Sequence, residues 1–445
     1  MDISKMKLTD YLGAEFECEC GKVHKTELET VEISAGALKK VAGIMRGHGL
    51  RKAFVVTDHN TYKVAGERLL SLLGEEEIGV ASHVFDEPKL LPNEYAVGKL
   101  LLNFDSECDL IIAVGGGTIN DLCRFVSFRL GIPYYIVATA PSTDGTASAG
   151  ASLIVDNLKT SIQCQMPKAI IADSEILAGA PRAMIAAGFG DMVGKYTCLA
   201  DWKLSAIING EYYCDTVVDI TRQSLERTVK LRHKIASGES GAVGELMEAL
   251  VMAGIAMSFA GSSRPASGSE HLISHFWDLR FLLENKKGLL HGTQVSIAAV
   301  LVSKLYHFLI DEGLTSAEIA AKELPSSENW EEEIKRAYLD AAEEVLELEE
   351  KAQKNAAPGW KKRIKVIAEQ WSEIAAVLES VPSAAEITSL IEDVGGVVNP
   401  GEVGIDAELV RQGILYAKDI RARYTILQLL WDLGLLPTYA SKLVG

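Results

Sequence analysis

No run of eighteen apolar residues occurs in this 445-residue sequence, so no membrane-spanning helix is expected. The opening stretch, MDISKMKLTDYLGAEFECEC, lacks a basic segment followed by an apolar core, so no secretory signal is expected either. Positive charge is in short supply. Against 61 Asp and Glu there are 44 Lys and Arg, a formal charge of −17. That field argues against nucleic acid and against an anionic membrane as main partner. A small anionic substrate would need a local cationic site. Cysteine is scarce and odd in number: seven residues, Cys18, Cys20, Cys108, Cys123, Cys164, Cys198 and Cys214. Scattered this way they form no disulfide framework, and the usage is that of a cytoplasmic protein. Cys18, Cys20 and His24 make a C-x-C-x₃-H cluster. Without a second ligand pair at finger spacing, it reads first as a polar N-terminal hairpin, with zinc binding as the alternative. There is no internal repeat and no low-complexity linker.

What the chain does have is a globular composition, 48% hydrophobic and 24% charged, at a length that calls for two domains. Strand-like runs at 29–35, 52–57, 79–85, 109–114 and 132–138 alternate with helical patterns at 37–46, 62–73, 93–104 and 118–130. Runs of continuous Val/Ile character between helices predict a parallel sheet covered on both faces. A strand pair within 151–172 is expected to complete this part. From residue 174 on, helical periodicity takes over. The expected organisation is therefore an α/β nucleotide-binding domain over 1–180 and an all-α domain over 181–445. The stretch 328–355 carries a charged helical pattern, read as a solvated helix face.

Three loops of the first domain suggest a nucleotide. Gly115, Gly116 and Gly117 follow a buried strand and lead through Thr118, Ile119 and Asn120 into a helix. Glycines let the backbone approach a pyrophosphate, and the helix start offers N–H groups to it. The segment departs from G-x-G-x-x-G at Asn120 and lacks the GK[ST] of a Walker loop, which argues against ATP hydrolysis. Read alone, it is equally a tight strand-to-helix turn. Asp58 ends an early strand, where an acid accepts from an adenosine ribose; an Asx turn or helix cap would also satisfy it. The hydroxyl-rich loop Thr139-Ala140-Pro141-Ser142-Thr143-Asp144-Gly145-Thr146-Ala147-Ser148 follows another buried strand.

The second part holds three of only nine histidines in close succession, His271, His275 and His291. The first two are four apart, on one face of a helix. With Asp191 upstream they suggest a divalent metal, although a histidine pair can also simply stack or cap. A hydride-transfer enzyme must polarise a carbonyl, and an open site of one carboxylate and two histidines does so.

The segments GGGTIND, TAPSTDGTASAGAS, AAGFGDMVGK, SGSEHLISHFW and LLHGTQV together resemble the sn-glycerol-1-phosphate dehydrogenases, most closely their AraM-like bacterial branch. That group lies within the dehydroquinate synthase-like and iron-containing alcohol dehydrogenase superfamily. The resemblance implies NAD(P)H-dependent reversible reduction of dihydroxyacetone phosphate to sn-glycerol 1-phosphate. Carried over by position, it makes Asp191, His271 and His291 the metal ligands. Asp191 and His275 would contact substrate, and Asp144 would line its pocket. Gly116 to Asn120, beside Gly115, would hold the pyrophosphate; Thr139, Ala140, Pro141, Ser142 and Ser148 would contact the coenzyme, and Asp58 its ribose. A homodimer is also implied.

Departures sharpen the expectation. Iron-type alcohol dehydrogenases carry a further histidine where Lys195 stands, so zinc or nickel is expected. Dehydroquinate synthases place a glutamate at the Asp191 position, which disfavours a lyase. Glycerol dehydrogenases share the Asp-His-His set, and a polyol dehydrogenase remains the nearest rival. Lys195 and Arg264 are the cationic residues expected near a substrate phosphate. The chain is longer than this branch leads one to expect, and 328–375 is expected to hold the excess.

Overall fold

The computed structural model describes residues 7–87, 89–155, 158–326 and 328–444. An N-terminal hairpin pairs β1 (Glu15–Glu17) with β2 (Val23–Lys25). Six strands then form one parallel sheet: β3 (Thr30–Ser34), β4 (Lys52–Asp58), β5 (Gly79–Phe85), β6 (Leu110–Gly115), β7 (Tyr134–Ala138) and β10 (Ala169–Asp173). Their order across the sheet is β3-β10-β7-β6-β4-β5. The expected strands are present because their side chains suit burial on two faces. Val55, Ile112, Val114, Tyr135, Val137 and Ile171 join one cluster with Leu38 and Val41. Alternate residues Phe54, Ile111, Ile136 and Ile170 are equally buried. Each such side chain contributes on the order of 1.5–3 kcal/mol by leaving water.

One pairing differs from expectation. Strand β8 (Gly150–Val155) pairs antiparallel with β9 (Leu158–Gln163) in a separate ribbon, while the KAIIAD strand joins the main sheet beside β3. The apolar β10 is buried throughout between β3 and β7; the polar β9 does not suit such a place. Beyond Asp173 the described residues are helical or irregular. The helices that matter here are α1 (Gly117–Leu130), α2 (Arg182–Val193), α3 (Lys195–Asn209), α4 (Asp215–Lys230), α5 (Ser240–Ala260), α6 (Ser269–Leu283) and α7 (His291–Asp311).

Contacts divide the chain into two compact units, Met1–Met192 with Thr216–Ser262, and Val193–Asp215 with Ser263–Gly445. This differs from the single crossing expected near residue 180. Helix α5 returns to the first unit because it is apolar nearly all round and is buried against β3, β10 and the turn at 144–147.

Helices α5 and α7, and the segment Trp371–Asp393, are long and apolar enough by length and composition to cross a membrane. The apolar-run criterion did not single them out. In α5 and α7 most of that surface is buried within the protein. The charged stretch forms helices Trp330–Tyr338 and Ala342–Ala352, and the next helix, Ala357–Glu369, buries Trp360 and Ile367.

Candidate active site

In a parallel sheet the loops after neighbouring strands share one edge, and β7, β6 and β4 are consecutive neighbours. Gly115 pairs with Ala138 at the ends of β6 and β7, and Thr139 N donates to Gly115 O at 3.2 Å. The Gly115–Asn120 turn and the Thr139–Ser142 loop are thereby side by side. Helix α1 starts at Gly117 with Gly116 as its cap, and no side chain caps its first turn. Its leading N–H groups are the donors an anion requires. Asn120 is buried, its Nδ2 lies 3.5 Å from Thr146 O, and its Oδ1 has no partner among the described residues. Asp58 does cap a helix: its Oδ1 accepts from Asn60 N and Thr61 N, both at 2.8 Å.

The hydroxyl-rich loop hangs on one side chain that sequence reading passed over. Arg124, fully buried in α1, donates from Nη1 to Gly150 O at 2.7 Å and Asp121 Oδ1 at 2.8 Å. Its Nη2 donates to Gly145 O and Thr146 O, at 2.7 and 3.0 Å, and its Nε to the Tyr134 hydroxyl at 2.8 Å. Burial pushes the Asp121 carboxyl up to about 6, against the pull of Arg124. Ser148 braces the same loop, donating to Gly145 O and Gly150 O. The only sequence signal for Arg124 was a charged residue on the apolar side of a helical pattern.

Helix α2 runs directly past this loop. A Cβ on Gly188 would fall 1.8 Å from Pro141 O, so only glycine permits the approach. That approach brings Asp191, fully buried, to the loop, where its Oδ2 accepts from Asp144 N at 3.0 Å.

The three histidines converge. Ring centroids of His271 and His291 are 5.1 Å apart, His275 and His291 5.8 Å, and His271 and His275 6.2 Å. Their positions follow from α6 and α7, which pack side by side. Buried Asp201 anchors the start of α6: its Oδ2 accepts from Ser269 N and Oγ at 2.7 and 2.6 Å. Its Oδ1 accepts from the Tyr306 hydroxyl at 2.8 Å and Ile426 N at 2.6 Å. Burial and the neighbouring Glu270 push Asp201 up to about 6.

Glu270, which was given no role from sequence, orients His271. Its Oε1 lies 2.7 Å from His271 Nδ1 and accepts from Gly268 N at 2.7 Å, while Oε2 accepts from the Thr197 hydroxyl at 2.6 Å. Burial works to raise this carboxyl, but the bonds to His271, Thr197 and Gly268 outweigh it and hold it below the ordinary glutamate range. With Nδ1 so engaged, Nε2 is the nitrogen that His271 would offer to a metal. His291 opens α7, with its Nδ1 3.4 Å from Ser274 Oγ, which in turn donates to Gln294 Oε1 at 3.0 Å.

Asp191, His271 and His291 each offer a ligand atom, and these atoms all lie within 4.8 Å of one another. One carboxylate and two imidazoles, one of them braced by a buried glutamate, make a donor set suited to a divalent ion with positions left open. His275 is outside that group. The two expected cations both have partners within the protein. Lys195 Nζ is buried and donates to Ala266 O at 2.9 Å. Arg264 is buried and bonded to Glu211, to Tyr424 O at 2.9 Å and to Ser205 Oγ at 3.2 Å.

The sequence profile of the family described as iron-containing alcohol dehydrogenase matches residues 32–181. A Bacillus licheniformis protein named glycerol-1-phosphate dehydrogenase (NAD(P)+) is 33% identical over 444 residues, 99% of this chain and 97% of its own. A Geobacillus thermodenitrificans protein of the same name is 35% identical, covering 92% of this chain and 94% of its own. Among solved structures, a probable glycerol dehydrogenase from Sinorhizobium meliloti superposes with a TM-score of 0.59 at 16% identity, over 93% of this chain and 98% of its own. At that identity the likeness shows the fold alone.

Proposed function

This chain belongs to the glycerol-1-phosphate dehydrogenase family of NAD(P)-dependent oxidoreductases, and on that premise we propose that it interconverts dihydroxyacetone phosphate and sn-glycerol 1-phosphate. The observation that carries the reading is the Asp191, His271 and His291 group, whose ligand atoms lie within 4.8 Å of one another. Zinc or nickel is the ion this reading assigns to them. A divalent ion held by Asp191, His271 and His291 would supply Lewis-acid polarisation of a ketone oxygen, and a bound nicotinamide would supply the hydride.

The chain's own residues do the rest. Glu270 keeps His271 in the tautomer that presents Nε2. The Asp144 N–H fixes one oxygen of Asp191 and so limits how that carboxylate can turn. His275, stacked on His291, holds or passes the proton that the substrate oxygen gains on reduction. Asp144 lines the substrate pocket. Gly115, Gly116, Gly117, Thr118, Ile119 and Asn120 receive the pyrophosphate at the start of α1. Thr139, Ala140, Pro141, Ser142 and Ser148 line the coenzyme on the neighbouring strand end. Both cap bonds of Asp58 fall on Oδ1, which leaves Oδ2 for a ribose hydroxyl and favours NAD. A cytoplasmic homodimer completes the reading.

The test is to strip the protein with chelator and restore zinc, nickel or iron separately. NADH oxidation is then followed with dihydroxyacetone phosphate and with dihydroxyacetone. Metal-dependent turnover that favours the phosphorylated ketone is the expected result. Equal rates with the two ketones would replace this reading with a polyol dehydrogenase.

A further inference from the structure

A second group of ligand types is present that the reaction does not use. Cys18, Cys20, His24 and Cys214 each offer a ligand atom, and all four atoms lie within 4.8 Å of one another. The hairpin accounts for the first three. Cys18 N donates to Lys22 O at 3.0 Å and Gly21 N to Cys18 O at 2.9 Å, so two thiols share one tight loop. Gly21, at φ 85°, makes the reversal that other residues resist. His24 follows in β2, opposite Phe16.

The histidine is the more informative member. It is fully buried, with its ring 5.3 Å from that of Phe16 and 5.6 Å from that of Phe259. Its Nδ1 lies 2.7 Å from Phe259 O, a carbonyl in the last turn of α5. A carbonyl only accepts, so Nδ1 carries the hydrogen, and in the neutral ring Nε2 presents its lone pair. Nε2 lies 3.5 Å from Cys20 Sγ. A carbonyl-braced imidazole aimed at thiols has the tautomer and orientation of a metal-ligating histidine.

Chain connectivity accounts for the fourth member. Cys18 Sγ lies 3.5 Å from Thr216 Oγ1, and buried Cys214 precedes Thr216 by two residues at the start of α4. None of the four belongs to the Asp191, His271 and His291 group.

We propose that Cys18, Cys20, His24 and Cys214 hold a zinc-class divalent ion in a closed, four-ligand structural site that fastens the N-terminal hairpin. Three sulfurs and one imidazole nitrogen match the tetrahedral preference of zinc and leave no position for substrate. On binding, each ligating thiol gives up its proton to solvent, so three thiolates against a divalent ion leave one net negative charge. The ion acts by closing the long loop between residues 24 and 214, with no part in hydride transfer.

The test uses full-length protein carrying His271→Ala and His291→Ala, stripped of metal and titrated with Co²⁺ alone. These changes remove the proposed catalytic ligands, so failure here is distinct from failure of the functional reading. The expected result is one equivalent of Co²⁺ bound, with thiolate-to-cobalt charge-transfer absorption in the near ultraviolet and tetrahedral bands in the visible. One equivalent of Zn²⁺ should bleach both and raise the Tm. Adding Cys18→Ser and Cys20→Ser should abolish the charge-transfer band. Absence of that band in the parent, or its persistence after both serine changes, overturns the proposal. The parent spectrum decides the matter even where the serine variants fold poorly.

Discussion

Glu270 Oε1 stands 2.7 Å from His271 Nδ1, in a fully buried position that also receives the Gly268 N–H and the Thr197 hydroxyl. Replacing Glu270 with Gln keeps the shape and removes the charge that raises the basicity of His271. Removing such a brace costs roughly 10–100-fold in metal affinity. Titration of stripped protein with zinc or nickel should show that loss for Glu270→Gln, with activity recovered at high metal. Unchanged affinity would mean that Glu270 serves the fold alone.

His271→Ala and His275→Ala should part company. The first should lose one metal equivalent, that of the Asp191, His271 and His291 group, together with activity. The second should keep metal at full stoichiometry while kcat falls by about 10²–10⁴, the usual range for losing a general acid or base. Metal content and turnover measured on the same preparations check both. Loss of metal from His275→Ala would make it a ligand.

Arg124→Met should strike the coenzyme side. It strands Asp121 and the carbonyls of Gly145, Thr146 and Gly150 in a buried place. Breaking one half of a buried ion pair costs roughly 3–5 kcal/mol. Urea unfolding should report that loss, and the KM for NADH should rise more than the KM for the ketone. A stability change without a shift in the coenzyme KM would confine Arg124 to the fold.

Glu211 provides a pH signature. Burial works to raise its carboxyl, but the bonds from Arg264 and Ser205 outweigh that and hold it below its ordinary value of 4.5. A carboxyl depressed by folding adds stability above its unfolded pKa and loses it as pH falls through the folded one. Unfolding free energy should therefore drop on acidification below pH 4.5 more steeply in the wild type than in Glu211→Gln. Parallel slopes would count against the pair.

The strands of the parallel sheet were legible in the sequence because burial on two faces forces continuous runs of Val, Ile and Ala, a signal carried within six residues. The glycine turn and the histidine spacing were legible for the same reason. What stayed hidden depends on distant partners. Arg124 reaches Gly145, Thr146 and Gly150, Asp201 reaches Tyr306 and Ile426, and His24 reaches Phe259, 235 residues away. Cys214 carries no local mark of Cys18 and Cys20. The return of α5 to the first unit was illegible because an all-apolar helix states that it is buried and not where. The need for glycine at Gly188 was equally hidden, because its reason is the carbonyl of Pro141, 47 residues earlier in the chain.

The anchoring of α6 by Asp201 bears on how far the chain can be shortened. One oxygen of that carboxylate is shared between Tyr306 and the backbone of Ile426, close to the C-terminal helices, while the other holds Ser269. A truncation ending before Ile426 would cut away a donor from a buried carboxylate and loosen the helix that carries His271 and His275. Ile426, remote from every reacting group in sequence, is in effect part of the clamp that aims the imidazoles, and a minimal catalytic fragment must extend through it.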